Sequence, residues 1–170
     1  MIWLIPILIF VFGFAAVILI VHEAIFTNRH SPLFSKFACR GRDPGFQAHR
    51  DEMQTRMEGA ERREYHIRSS HGETLTGYYY PCGNEPSGRI ALMVHGLGSN
   101  HTAACGMHYE YYHRRGFDVF CCEYQGMKRR RGRYVGYGIF EGEDCLDFLA
   151  ALTEQFGEDT LFVLHGFSMG

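Results

Sequence analysis

Leu161-Phe162-Val163-Leu164-His165-Gly166-Phe167-Ser168-Met169-Gly170 are the last ten residues of a 170-residue sequence. Four consecutive apolar side chains suit a strand covered on both faces, and the residues from Gly166 onward spell G-x-S-x-G. Behind such a strand, this pentapeptide fits a sharp strand-to-helix turn that lifts a serine hydroxyl out of the backbone. A serine hydroxyl is a poor nucleophile until a base takes its proton, so Ser168 must be reachable by base and substrate together. Gly166 and Gly170 are expected to be small because side chains there would collide across the turn. Glycine supplies 20 of the 170 residues, so the pentapeptide by itself is weak evidence. The plain alternative is a strand ending in a glycine-rich loop with an ordinary serine.

Upstream, the sequence supplies the parts such a turn needs around it. Residues 64–68 and 75–80 bracket Ser69-Ser70-His71-Gly72-Glu73, a connection suited to an antiparallel hairpin. Residues 89–94 form a second apolar run, Ile90-Ala91-Leu92-Met93-Val94, and end in His95-Gly96-Leu97-Gly98-Ser99-Asn100-His101. Residues 102–115 are expected to be helical with Gly116 as the stop, residues 117–123 a further buried strand, and 140–156 a helix presenting Leu146, Leu149, Ala150 and Leu152. Gly157 ends that helix. A hairpin followed by strand, helix, strand, helix and strand predicts an α/β fold with a largely parallel sheet.

In acyl transfer the carbonyl oxygen becomes negative, and preorganised backbone N–H groups stabilise it by a few kcal/mol each, roughly. The two donors expected here are the amides of Leu97 and Met169. His95 is the tempting catalytic base, but it precedes the serine, whereas the base of this pattern follows it. Its expected task is to hold the loop by hydrogen bonds, beside Gly96.

Residues 2–21 carry no charged side chain, which as a helix makes about 30 Å of apolar surface, enough to cross a bilayer. A cleaved signal peptide would show a basic start and a shorter apolar core of about 7–15 residues; no Lys or Arg precedes this run. The sequence therefore divides into a transmembrane anchor at 1–22, a juxtamembrane linker and helix at 23–63, and a catalytic-type region at 64–170. Within the linker region, residues 46–63 are charged, with Phe46, Met53 and Met57 on one side of an expected helix. Arg29, Lys36, Arg40 and Arg42 would keep the following side in the cytoplasm by the positive-inside rule; many anchored enzymes work outside the cell, and the side stays open. Secretion behind a cleaved signal is the rival reading.

The formal net charge of -2 suggests no bulk affinity for nucleic acid. Cysteines 39, 82, 105, 121, 122 and 145 include no C-x-x-C pair, and buried free thiols are the plainer reading. His101, Cys105 and His108 would share a helical face and could in principle hold zinc, but the spacing matches no standard site. Neither a metal nor another cofactor is expected.

From residue 64 to Gly170 the chain resembles the N-terminal half of an α/β-hydrolase of the membrane-anchored bacterial type, related to serine aminopeptidases and acyl-thioesterases. The matching pieces are Ser70-His71-Gly72, His95-Gly96 with Ser99-Asn100-His101, Gly132-Arg133-Tyr134-Val135-Gly136-Tyr137-Gly138 leading to Asp144, and the stretch from His165 to Gly170. The resemblance implies hydrolysis of an ester, thioester or amide through an acyl-enzyme on Ser168. It departs where many relatives carry D-x-R-G-H-G: here Glu123-Tyr124-Gln125-Gly126 runs into Met127-Lys128-Arg129-Arg130-Arg131-Gly132. That basic run is either a solvated loop or a contact for anionic lipid headgroups. In the chain order of this fold the acid and base follow the serine, so residues 1–170 are expected to lack both, and the chain is read as an inactive fragment. The competing reading is a membrane-tethered, hydrolase-like binding module in which Ser168 has no chemical task.

Overall fold

The computed structural model describes residues 4–26, 43–96, 99–123, 136 and 138–170. Helix α1 (Leu4–Phe26) is built from the apolar run, and its segment Ile5–His22 is long and apolar enough to cross a membrane, with none of that window buried against the rest of the protein. Most of the expected linker, 27–42, lies outside the described residues. Helix α2 (Pro44–Glu58) begins where Asp43 accepts the Phe46 amide at 2.8 Å and Pro44 takes the first-turn position that needs no N–H. It is shorter than the expected 46–63, because Gly59 closes it and residue 63 already belongs to the sheet. Met53 and Met57 are buried as their spacing requires, whereas Phe46 is 45% exposed.

The sheet has five strands: β1 (Arg63–Arg68), β2 (Thr74–Tyr80), β3 (Arg89–Val94), β4 (Asp118–Glu123) and β5 (Leu161–Gly166), in the order β1-β2-β4-β3-β5. The first two form the expected hairpin, with Tyr65 opposite Gly77, and β2 also runs antiparallel to β4. From there the pairing is parallel: Val94 of β3 stands beside Cys122 of β4 on one side and Gly166 of β5 on the other. Consecutive parallel strands need helical crossovers, and these are α3 (His101–His113) and α4 (Ile139–Phe156). Both begin and end within two residues of the expected positions.

The two faces of the sheet bury different side chains because neighbouring residues on a strand point opposite ways. Leu75, Tyr79, Ile90, Leu92, Val94, Phe120 and Cys122 pack with Phe148 and Leu152 of α4. Tyr80, Ala91, Met93, Val119 and Cys121 pack on the other face with Met57 of α2 and Cys105 of α3. Two glycines permit this packing. A Cβ on Gly77 would lie 2.2 Å from the Phe120 ring, and one on Gly106 would lie 3.1 Å from the Gln54 backbone, where α2 and α3 cross.

The inward face of α4 matches the expectation at Leu152 and differs from it elsewhere. Its buried residues are Glu141, Asp144, Phe148 and Leu152, while Leu146 is 65% exposed and Ala150 is also exposed. Two acids are inside for identifiable reasons. Glu141 accepts the amides of Gly136 and Gly138 at 2.9 Å each, closing the N-terminus of the helix. Asp144 sits one turn on, and burial, with Asp147 and Glu141 near it, pushes its carboxyl up to about 6. At the other end of the sheet the buried Asp118 accepts the Tyr79 hydroxyl at 2.8 Å and the amides of Cys82 and Ser87 at 2.8 and 2.9 Å. Burial opposes its ionisation, but those donors outweigh it and hold the carboxyl below its ordinary range. Asp118 thereby pins the β2–β3 connection to the start of β4.

Candidate active site

Ser168 stands two residues past β5 with φ 60, the only non-glycine at positive φ among the described residues. That left-handed conformation is costly for an L-residue and persists only where the surroundings over-determine it. Here they do. The Phe167 amide donates to the Val94 carbonyl at 3.0 Å, and the Gly170 amide returns to the Phe167 carbonyl at 3.0 Å. A Cβ on Gly166 would lie 2.2 Å from the Gly170 carbonyl oxygen, and a Cβ on Gly170 would lie 2.4 Å from the Val94 carbonyl oxygen. No real Cβ approaches so closely, so the turn tolerates glycine alone at either position. The Ser168 residue itself is exposed to solvent.

The end of β3 forms the other wall. A Cβ on Gly96 would lie 2.7 Å from the Phe167 carbonyl oxygen, 2.9 Å from Ser168 Cβ and 3.5 Å from Ser168 Oγ. The first residue of the loop after His95 is therefore seated against the serine. Met169 is half-buried and packs against the core shared by the sheet and α4. Leu97, the other expected oxyanion donor, lies outside the described residues, as does Gly98.

His95 is fully buried, with Nδ1 donating to the Gly96 carbonyl at 3.0 Å and Nε2 facing Glu123 Oε2 at 3.4 Å. Its ring is thus turned to its own loop and to β4. Glu123, the last residue of β4, holds a second ring as well. Its other oxygen accepts the His101 ring Nδ1 and, at 3.2 Å, the His101 backbone amide. Burial opposes a charge on Glu123, but the His101 and His95 contacts outweigh it and hold the carboxyl well below the usual range. Tyr78 stacks on the His101 ring at 4.1 Å between centroids.

On the same face of the sheet, beside Met93, His165 hydrogen-bonds at 3.1 Å with the Tyr112 hydroxyl and stacks on Phe167 at 4.4 Å. His108 lies edge-on to His165 at 4.8 Å; burial, with His165 beside it, lowers its pKa. Phe167 also lies 5.0 Å from the His108 ring, so two imidazoles flank it. Of the three residues that could share zinc, His101 is engaged with Glu123 and Cys105 lies in the core. Among the described residues no group of three potential metal ligands comes together. Cys105, Cys121 and Cys122 are buried, and burial pushes the Cys121 and Cys122 thiols up. The basic run 128–133 lies outside the described residues.

Comparison with known proteins places this arrangement in a fold. Solved structures that superpose well include the esterase Pf2001 of Pyrococcus furiosus, at 21% identity and a TM-score of 0.56 over 68% of this chain and 44% of that one. The carboxylesterase EstE1, cloned from a metagenomic library, gives 16% identity and a TM-score of 0.53 over 76% and 46%. An esterase of Pyrobaculum calidifontis gives 12% and 0.51 over 82% and 49%. The chain has the α/β-hydrolase fold over the part these structures share. It spans less than half the length of each. A curated relative, the multifunctional-autoprocessing repeats-in-toxin of Vibrio cholerae, is 29% identical over 104 residues, which is 56% of this chain and 2% of the toxin. No family model matches.

Proposed function

We propose that the protein is a membrane-anchored serine hydrolase that cleaves an ester, thioester or amide through an acyl-enzyme on Ser168. The observation that carries the reading is the left-handed backbone of Ser168 just past the parallel strand β5, enforced by glycines at 166 and 170 and faced by Gly96. A non-catalytic serine gains nothing from such a conformation, whereas a nucleophile gains exposure on a rigid support.

In the reaction, Ser168 Oγ attacks the acyl carbon as its proton passes to a general base, and the carbonyl oxygen becomes an oxyanion. The amides of Met169 and Leu97 are assigned to that oxyanion. Collapse of the tetrahedral species expels the alcohol, thiol or amine with a proton from the base, and water then attacks the acyl-serine by the reverse sequence. The base and its acid are assigned to no residue of 1–170. They belong to the reaction of the whole protein, as do its acyl group and its partners. Helix α1 is assigned to the bilayer on length and composition.

The test is a fluorophosphonate probe, which reacts with activated serines, applied to the longest natural form of the protein. Labelling that disappears in Ser168→Ala supports the proposal. A folded protein that takes up no probe overturns it in favour of a tethered binding module.

A further inference from the structure

We propose that Glu123 is the positioning residue of the catalytic serine's facing loop, a single carboxylate that grips the loop at both ends. The inference rests on the acyl-transfer reading above, because the loop matters only if Ser168 reacts. Its geometry is independent of that reading. One oxygen of Glu123 takes the ring and backbone amide of His101, the first residue of α3; the other faces the His95 ring at 3.4 Å, directly after β3. His95 in turn donates to the Gly96 carbonyl at 3.0 Å, and Gly96 is the residue seated against Ser168 Cβ. A chain of contacts therefore runs from the end of β4 to the serine: Glu123, His95, Gly96, Ser168.

The arrangement is built rather than incidental. His95 is fully buried and His101 nearly so. Tyr78 stacks on the outer face of His101. Asn100 caps α3 by accepting the Ala103 amide at 2.8 Å, which fixes the direction in which His101 enters the helix. Glu123 is the last residue of β4, so its backbone is held by the sheet while its side chain reaches the connection between β3 and α3. The Glu123 carboxylate takes the His101 ring and amide on one oxygen and faces the His95 ring with the other, which ties the residues on either side of the connection, His95 and His101, to the end of β4. Donors that must already be aimed when charge develops need such support, since reorganisation during the reaction forfeits their effect.

The experiment uses the longest natural form of the protein in detergent micelles and compares wild type, Glu123→Gln and a control, Glu143→Gln, whose carboxylate contacts His71 of the β1–β2 turn at 2.5 Å. Long-range proton–nitrogen spectra of the imidazoles read the clamp, and the rate of fluorophosphonate labelling reads its consequence, divided into probe affinity and maximal rate. Glu123→Gln is expected to move the ring resonances of His95 and His101 and to lower the maximal labelling rate at least about tenfold at unchanged probe affinity. Glu143→Gln is expected to move His71 alone and leave labelling unchanged. His95 and His101 resonances that stay in place in Glu123→Gln overturn the clamp. Resonances that move with no change in rate overturn its positioning role. Should Glu123→Gln not fold, His101→Asn replaces it and is expected to lower the same rate; an unchanged rate there also overturns the proposal. A wild type that takes up no probe overturns the acyl-transfer reading instead, and the imidazole spectra then decide the clamp by themselves.

Discussion

At the scale of single residues, the glycines around Ser168 carry as much of the account as the serine. A methyl group at 166 would have to occupy the place of the Gly170 carbonyl, 2.2 Å away. Neither partner can give, because both are backbone. Gly166→Ala is therefore predicted to lower stability by at least about 2 kcal/mol, read from the denaturation midpoint, and to abolish reaction at Ser168. This constraint was legible in the sequence, since G-x-S-x-G states a backbone requirement directly. The contacts of Glu123 were not legible: they join residues 95, 101 and 123 across two strands and a helix, and no local spacing records that. Asp144 offers a second residue-scale test. Its carboxyl, raised to about 6, keeps its proton in the folded protein at pH values where the unfolded chain, near 4, has already lost it. The folded state binds more protons in that window, so this group's contribution to stability falls as pH climbs from about 4 to about 6 and is level above. Asp144→Asn removes the penalty. The variant is predicted to gain about 1–3 kcal/mol over wild type at pH 7, and this difference should vanish in melts at pH 4. A difference that stays constant with pH would contradict it.

At the scale of elements, the strands were the easiest to read and the helix faces the hardest. Residues 90–94 and 161–164 are apolar without interruption, the pattern of a strand covered on both faces. The first is that strand, buried from Ile90 to Val94 and paired on both sides, whereas the second pairs with β3 alone and none of its residues is buried. The face of α4 was misread because apolar periodicity treats acids as outward-facing. Glu141 and Asp144 are inside, which rotates the helix until Leu146 faces solvent. The two assignments predict opposite outcomes. Leu146→Lys is expected to change stability by less than about 0.5 kcal/mol, whereas Phe148→Ala, which empties a site between α4 and Phe120, should cost about 3–5 kcal/mol. Chemical denaturation of the two variants decides between the faces. The exposed Leu161 and Leu164 on β5 follow from the sheet order, since β3 covers that strand on one side and no described strand lies on the other.

At the scale of the whole molecule, two parts of different solvent preference share one chain. Helix α1 exposes Phe10, Phe12, Phe14 and Leu19, while the sheet region buries Tyr79, Tyr80, Phe120 and Phe148 in two ordinary cores. On the proposed reading a bilayer covers the first part, as water surrounds the second. Removing residues 1–22 is predicted to move the protein from the carbonate-resistant membrane fraction to the supernatant, and a wild type already found in the supernatant at its full length would contradict the anchor. The central claim concerns the other part: that the fold exists to present one hydroxyl to an acyl carbon. The most direct measurement is to mix the longest natural form with an activated butyryl ester, quench in acid and map the adduct by mass spectrometry. The account predicts one butyryl group on Ser168, absent from Ser168→Ala. A folded protein carrying no adduct, or carrying it on another residue, would contradict it.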